Sequence, residues 1–264
     1  MNVNSWLKKS PIQRLDSELI IAHILGKERS FLHAHPEYEF SETELAQIRA
    51  ATERRASGEP LAYILGYKEF YGRIFKVTKD TLIPRPETED LIIEAISLQS
   101  KSILDVGTGS GCIAVTLSRE LPNTSIDAID ISESALVVAK ENAQKHHSQI
   151  AFIQSDLLSN LHKAQKYDLI IANLPYVDKN WTWLGAELSF EPESALFAED
   201  GGLELIKKII LQAPSHLNSH GHLLLEADQI QHQAIIDFAQ KSGYFESIKK
   251  ADEKSALALV LQLR

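Results

Sequence analysis

The sequence predicts an α/β protein in which a mostly parallel sheet follows a small helical segment, with a β-hairpin between them. Three observations carry this reading. From residue 87 onward, short apolar runs alternate with stretches at helical spacing, the pattern of a sheet covered on both faces. A glycine-rich turn, "DVGTGSGC", links the first apolar run to the next helical stretch. Residues 1–57 hold only helical patterns, and Tyr/Phe/Val-rich pieces then flank Tyr71-Gly72, as in a hairpin.

Leu15, Leu19, Ile20 and Ile24 fall near helical spacing, and Ser41 with Glu44 forms a capping box for a helix that stops at Gly58. "IPRP" bars helix until about Glu87. A helix over about 87–98 then precedes strand "SILDV", helix "GCIAVTLSREL", strand "SIDAID" and helix "SESALVVAKENAQK". Strands "IAFIQ" and "YDLIIA" follow, then a helix near 202–213, strand "HLLLEA" and a helix near 229–242. Strands around Tyr244–Lys249 and Ala256–Leu263 close the chain. The expected division is a helical domain over 1–60, a hairpin linker over 61–86 and a sheet domain over 87–264.

The composition narrows the function. No apolar run approaches the ~20 residues that span a bilayer, and the N-terminus lacks an apolar export core. One cysteine, Cys112, excludes an internal disulfide and suits a reducing cytoplasm. The net charge is −9, and residues 1–80 are nearly balanced, so the acidic excess lies beyond them. An acidic surface is a poor one for gripping phosphate backbones. No nucleic-acid or membrane partner is expected, and a monomer is.

Gly107, Gly109 and Gly111, with Thr108 and Ser110 between them, let the backbone turn tightly and approach a ligand. Dinucleotide sites use such a turn for a pyrophosphate. Here Asp105 stands just before the turn, where its charge opposes a pyrophosphate and suits a cation such as the sulfonium and ammonium of S-adenosylmethionine. Asp130 ends the second strand, placed to accept both ribose hydroxyls. Asp156 ends the third, placed to meet the adenine amine, with Leu157 to pack on the ring. The plainer alternative is a packing turn with three solvated acids.

The fourth strand ends at "NLPY". Asn173 offers a side-chain carbonyl; Leu174, ahead of Pro175, is held extended with its C=O forward; Tyr176 offers a flat face. Together they suit a planar –NH2 group: two acceptors take its N–H bonds and a ring stacks on it. Neutral acceptors polarise an amide nitrogen and aim it, and the proton leaves after methyl transfer. The plainer alternative is an Asn-Pro turn with a core tyrosine.

At this point the sequence resembles the protein-(glutamine-N5) methyltransferases that act on peptide chain release factors, the PrmC/HemK family. The resemblance runs through "GYKEFYGRIFKV", "LIPRPETE", "DVGTGSG", "NLPYV", "FEPESALFAEDGGLELI" and Glu226–Gln231. It implies a class I (Rossmann-like) S-adenosylmethionine-dependent methyltransferase sheet, with the cofactor at Gly107–Gly111, Asp130, Leu157 and Asn173. It implies that Asn173–Tyr176 hold the glutamine of a release factor's Gly-Gly-Gln loop, and that the N-terminal helices help recognise this protein. The family usually reads Asn-Pro-Pro-Tyr, where this chain has Leu174. Asp228 stands where a Gly is usual, and the tail "ADEKSALALVLQLR" lacks the usual Gly-Arg-Asp-Arg. Asn-Leu-Pro-Tyr also resembles the motif of rRNA adenine methyltransferases. Methylation of an exocyclic base amine is therefore one alternative, and a non-enzymatic nucleotide-binding regulator is another.

Residues 177–201 have little periodicity and read as a lid or substrate wall, with Trp181 and Trp183 as covers or as seals of the core edge. His216 and His220 have an i, i+4 spacing, but Ser219 and Gly221 place them past a helix end, so no metal is expected. Cys112 reads as a small packed residue.

Overall fold

The computed structural model describes residues 1–182, 185–250 and 258–264; Trp183 lies outside them. The chain divides into two compact units, Met1–Tyr67 with Gly185–Phe190, and Lys68–Leu184 with Glu191–Arg264.

The first unit is helical: α1 (Val3–Lys9), α2 (Arg14–Leu25), α3 (Arg29–Ala34), α4 (Glu42–Ala56) and α5 (Leu61–Leu65). Val3, Ile21, Leu32, Phe40 and Ile48 form its core. The Ser41–Glu44 capping box starts α4, satisfying two N–H groups that a helix end otherwise leaves unpaired. Buried Glu18 takes Arg14 and Arg29 at 2.8 Å each; burial pushes its carboxyl up, but the two guanidiniums outweigh that and hold it below the usual range. The unit differs from the expected 1–60 in two places: it runs on through α5 to Tyr67, residues expected in the linker, and it takes in a later segment. Residues 185–190 join this unit, because Glu187 pairs with Arg55 at 2.7 Å and Phe190 lies against Gly58.

The second unit begins with the hairpin of β1 (Tyr67–Phe70) and β2 (Arg73–Lys76). Tyr71 and Gly72 both have positive φ, the type I′ geometry that suits strand twist. The hairpin is more than a linker: Phe70 and Phe75 are buried in the core of the sheet. After Pro84 and Pro86 come a 3₁₀ turn at Pro86–Thr88 and α6 (Glu89–Ser97). Alternation follows as expected, except that the short α9 falls in the stretch read as irregular: β3 (Ser102–Val106), α7 (Cys112–Glu120), β4 (Ser125–Asp130), α8 (Glu133–Lys145), β5 (Ala151–Gln154), β6 (Tyr167–Ala172), α9 (Glu193–Leu196), α10 (Glu204–Gln212), β7 (Leu217–Glu226), α11 (His232–Ser242), β8 (Phe245–Lys250) and β9 (Ala258–Leu263).

The seven strands lie in the order β5-β4-β3-β6-β7-β9-β8. The first five run parallel, and β9 and β8 pair antiparallel. Successive β3 and β6 residues face opposite cores: Leu104 and Ile170 one way, Ile103, Leu169 and Ile171 the other. The chain runs from β3 outward through β4 and β5, then returns beside β3 as β6. The β3/β6 junction is therefore the switch point at whose carboxyl end ligands bind in such sheets.

β7 starts five residues earlier than expected. Its first part, Leu217–Gly221, carries an irregular register opposite Tyr167–Leu169, and His220 has φ 59°. The bulge hides the period-2 pattern from the sequence. His216 lies in the turn before β7 with its Nδ1 at 3.1 Å from the Gln165 carbonyl, while His220 faces Glu246. Among the described residues no cluster suits a metal and no helix is long and apolar enough to cross a membrane.

Candidate active site

A cavity of about 230 Å³ opens at the carboxyl ends of β3, β4, β5 and β6. Its wall comprises the glycine turn, Asp130, Asp156–Leu157 and Asn173–Pro175, together with residues around Leu82–Arg85 and Pro192–Ala195.

The turn is fixed from below. Gly107 and Thr108 donate their N–H groups to the Ile129 carbonyl at 2.9 and 3.0 Å. Gly107 has φ 73°, and a Cβ there would stand 3.2 Å from Leu174 Cδ2 and 3.4 Å from the Asn173 carbonyl. At Gly109, φ 54°, a Cβ would meet nothing within 4 Å. The first glycine admits the β6 end, and the second leaves its side of the turn open.

Asp105 is not on this wall. It is fully buried beneath the turn, where its Oδ2 accepts from Thr108 Oγ1 at 2.6 Å and from the Ala114 N–H at 3.2 Å. Burial pushes its carboxyl up to about 7. The expectation of direct contact with a cation is thus corrected: this acid ties β3, the turn and α7 together, and its charge acts from underneath. Ser110 and Thr108 do line the cavity, and Gly111 packs on Ala139.

Asp130 lies on the wall. Its Oδ2 accepts from the Gly109 N–H at 2.8 Å and its Oδ1 from the Ser132 N–H at 2.9 Å. Burial still raises its carboxyl above the ordinary range. Each oxygen retains a lone pair for a further donor. Asp156 is exposed, and Leu157, with φ 48°, is buried beside it.

The β6 end is built from distant parts of the chain. Asn173 Nδ2 donates to Thr88 Oγ1 at 3.2 Å, Thr88 coming from the turn before α6. Leu174 is buried with its side chain over Gly107. Tyr176 does not line the cavity; its hydroxyl donates to Glu226 Oε1 at 3.1 Å, at the end of β7. Gln231 Nε2 donates to the Tyr176 and Gly201 carbonyls at 2.8 and 2.9 Å. A Cβ at Gly202 would collide with the Tyr176 carbonyl at 1.9 Å. Glu226 is buried, and burial pushes its carboxyl up to about 7. Trp181 also lies off the wall. Burial pushes the Cys112 thiol up to about 12, which removes it as a nucleophile.

Arg85, also on the wall, pairs with buried Glu191, whose other oxygen accepts from the Ile83 N–H at 2.9 Å. This joins "IPRP" to "EPES". Residue-level reading singled out neither Glu191, Thr88, Gln231 nor Gly202. Only the family-like segments "LIPRPETE", "EPESAL", "AEDGGLEL" and Glu226–Gln231 marked their neighbourhoods.

The PrmC N-terminal domain family matches residues 3–66, and the methyltransferase small domain family matches residues 87–203. A release factor glutamine methyltransferase of Koribacter versatilis is 41% identical over 82% of this chain and 80% of its own. Another, of Nitratidesulfovibrio vulgaris, is 44% identical over 81% and 75%. A T. thermophilus 16S rRNA N2 methyltransferase, solved with AdoMet and guanosine, shares the fold at TM-score 0.54 and 13% identity, over 75% of this chain and 50% of its own. On this identity over most of its length, with both matching domains in order, the chain belongs to the release factor glutamine methyltransferase family.

Proposed function

We propose that the chain transfers a methyl group from S-adenosylmethionine to the side-chain nitrogen (N5) of the glutamine in the Gly-Gly-Gln motif of a peptide chain release factor. The observation that carries this is the shared cavity: Asn173–Pro175 stand on the same wall as the glycine turn and Asp130. Residues 1–60 recognise the release factor on this reading, and the enzyme works as a monomer in the cytoplasm.

The residues fit the cofactor. Gly109 leaves an open approach, Asp130 keeps acceptor capacity for a ribose diol, and Asp156 with Leu157 suits an adenine edge and face. Asp105, beneath the turn, favours a positive centre above it. When bound, S-adenosylmethionine supplies an electrophilic methyl on a sulfonium.

The protein's own part is orientation. Asn173 Oδ1 and the Leu174 carbonyl accept the two amide N–H bonds and localise the nitrogen lone pair. Tyr176, anchored through its hydroxyl, fixes the backbone that presents both acceptors. As N–CH3 forms and S–CH3 breaks, the bonding pair stays on sulfur. The extra nitrogen proton then leaves to solvent, so no general base is needed beforehand.

Incubation with methyl-labelled S-adenosylmethionine and release factor, ribosomal RNA and transfer RNA tests this. The label is expected on the release factor, localised by fragmentation to the Gly-Gly-Gln glutamine. Label on RNA alone would favour the base-amine reading that Asn-Leu-Pro-Tyr suggests.

A further inference from the structure

Asn173 presents a carbonyl to the cavity only if its amide nitrogen is turned away from it. The contact with Thr88 Oγ1, 3.2 Å from Nδ2, does not decide this, because a hydroxyl donates and accepts equally well. A carboxylate does decide it, since an ionised one only accepts. Glu226 is that carboxylate. It is 2% exposed at the end of β7, takes the Tyr176 hydroxyl at 3.1 Å on Oε1, and stands close enough to Thr88 and Asn173 for both to favour its charged form. Its Oε2 is buried and has no hydrogen-bond partner among the described residues, so it keeps acceptor capacity.

We infer that Glu226 is a positioning residue for methyl transfer: it holds the Thr88 hydroxyl and the Asn173 Nδ2 toward itself, and so turns Asn173 Oδ1 to the substrate amide. The same carboxylate anchors Tyr176, so one buried acid sets both members of the "NLPY" turn that carry side-chain polarity. This inference rests on the proposed amide chemistry for its catalytic consequence, but the orientation itself can be read without turnover.

The charged and titratable groups facing Glu226 are Glu87 before α6, Tyr176 after β6 and Cys112 at the start of α7. Burial raises Tyr176 and Cys112 above their ordinary ranges, away from that of the acid. Glu87 repels Glu226 and is separated from it by the variant below.

The test uses the full chain with ¹⁵N-labelled asparagine. The Asn173 side-chain NH2 signals are assigned by their loss in Asn173→Asp. In the wild type they are expected to shift across neutral pH as Glu226 ionises, and in Glu226→Gln to lose that shift. Signals unmoved by both pH and substitution would overturn the inference, as would a shift that survives in Glu226→Gln. In kinetics, Glu226→Gln should lower kcat by about tenfold or more, the scale of one charge-assisted hydrogen bond. KM and cofactor Kd should stay within about twofold, since no ground-state contact is removed. An unchanged kcat would also overturn it. A wild type that shows the NMR behaviour but leaves release factor unlabelled would instead break the proposed substrate, leaving the orientation standing.

Discussion

On the β3–β4–β5 side of the cavity, Asp105 and Asp130 are fixed by partners between two and twenty-one residues away. Asp105 holds Thr108 three residues on and Ala114 nine on; Asp130 holds Ser132 two on and Gly109 twenty-one back. On the β6–β7 side the partners are remote. Asn173 meets Thr88 across 85 residues, Tyr176 meets Glu226 across 50, and Gln231 reaches the Tyr176 carbonyl across 55. A site held by local contacts reads as a motif, whereas one held by distant contacts reads as an odd strand end. The contrast also implies different failure modes: the first side should lose affinity when cut, the second should lose rate.

The largest effect is expected at Asn173. Asn173→Ala removes a preorganised acceptor of the amide and should lower kcat by about 10²–10³. Although the resemblance also assigns Asn173 to the cofactor, calorimetry should find S-adenosylmethionine binding weakened far less than kcat. A comparable loss of cofactor affinity would erase the contrast between the two sides.

Gly202→Ala should be nearly as damaging, through packing. Its φ is +82° and the added Cβ would lie 1.9 Å from the Tyr176 carbonyl. Backbone must move, at a cost of about 1–3 kcal/mol in stability, and the "NLPY" turn moves with it. A denaturation midpoint and kcat both unchanged would show that this remote support is dispensable.

Asp130→Ala tests the local side. Lost hydrogen bonds to a ribose diol, at roughly 1.5–3 kcal/mol each, should weaken cofactor binding at least tenfold, with kcat at saturation less affected. Unchanged affinity in a folded variant would remove Asp130 from the site.

These differences explain what was legible in the sequence. The parallel sheet, the hairpin at Tyr71-Gly72 and the glycine turn follow from local patterns, and the structure has them; Asp130 follows likewise and lies on the cavity wall. Asp105 is legible as important but not as buried, because an acid just before a glycine turn reads as facing the ligand, while its place inside β3 (Ser102–Val106) points it beneath the turn. The sequence makes Tyr176 a pocket face; its hydroxyl is instead held by Glu226, a contact no spacing encodes. The ten-residue β7 was shortened by its own bulge, and residues 185–190 gave no apolar period to assign them to the helical unit.

The buried acid also separates stability from rate. Glu226 titrates near 7 in the fold, above the ordinary carboxylate range, so the folded state holds its proton longer than the unfolded chain does. Its stabilising contribution is complete below about pH 4 and is lost as pH rises through about 7. Glu226→Gln removes a buried charge above that window and should raise stability by about 1–3 kcal/mol at pH 8, while leaving it nearly unchanged at pH 4. Equal effects at both pH values would mean the side chain acts by shape alone. A variant that is more stable yet slower would mark this carboxylate as kept for rate.

The smallest effect is expected at Leu174, where the chain departs from the family's usual Pro. Leu174→Pro keeps the carbonyl that faces the amide, and among the described residues nothing accepts from the Leu174 N–H, so no hydrogen bond is lost. Asn173, ahead of the new proline, already follows an extended strand, the conformation a proline demands of its predecessor. The side chain is another matter. Leu174 is 5% exposed and its Cδ2 lies over Gly107, so it seals the glycine turn against the β6 end, and the smaller ring would leave part of that space empty. The variant should therefore keep kcat within about threefold, under 1 kcal/mol of barrier, and lose about 1–2 kcal/mol of stability, the scale of a partly truncated core residue. Parallel measurement of kcat and the urea midpoint decides it. If kcat falls tenfold while stability holds, Leu174 shapes the amide pocket directly, and the division between a local cofactor side and a remote amide side would have to be redrawn to put Leu174 and Gly107 in one unit.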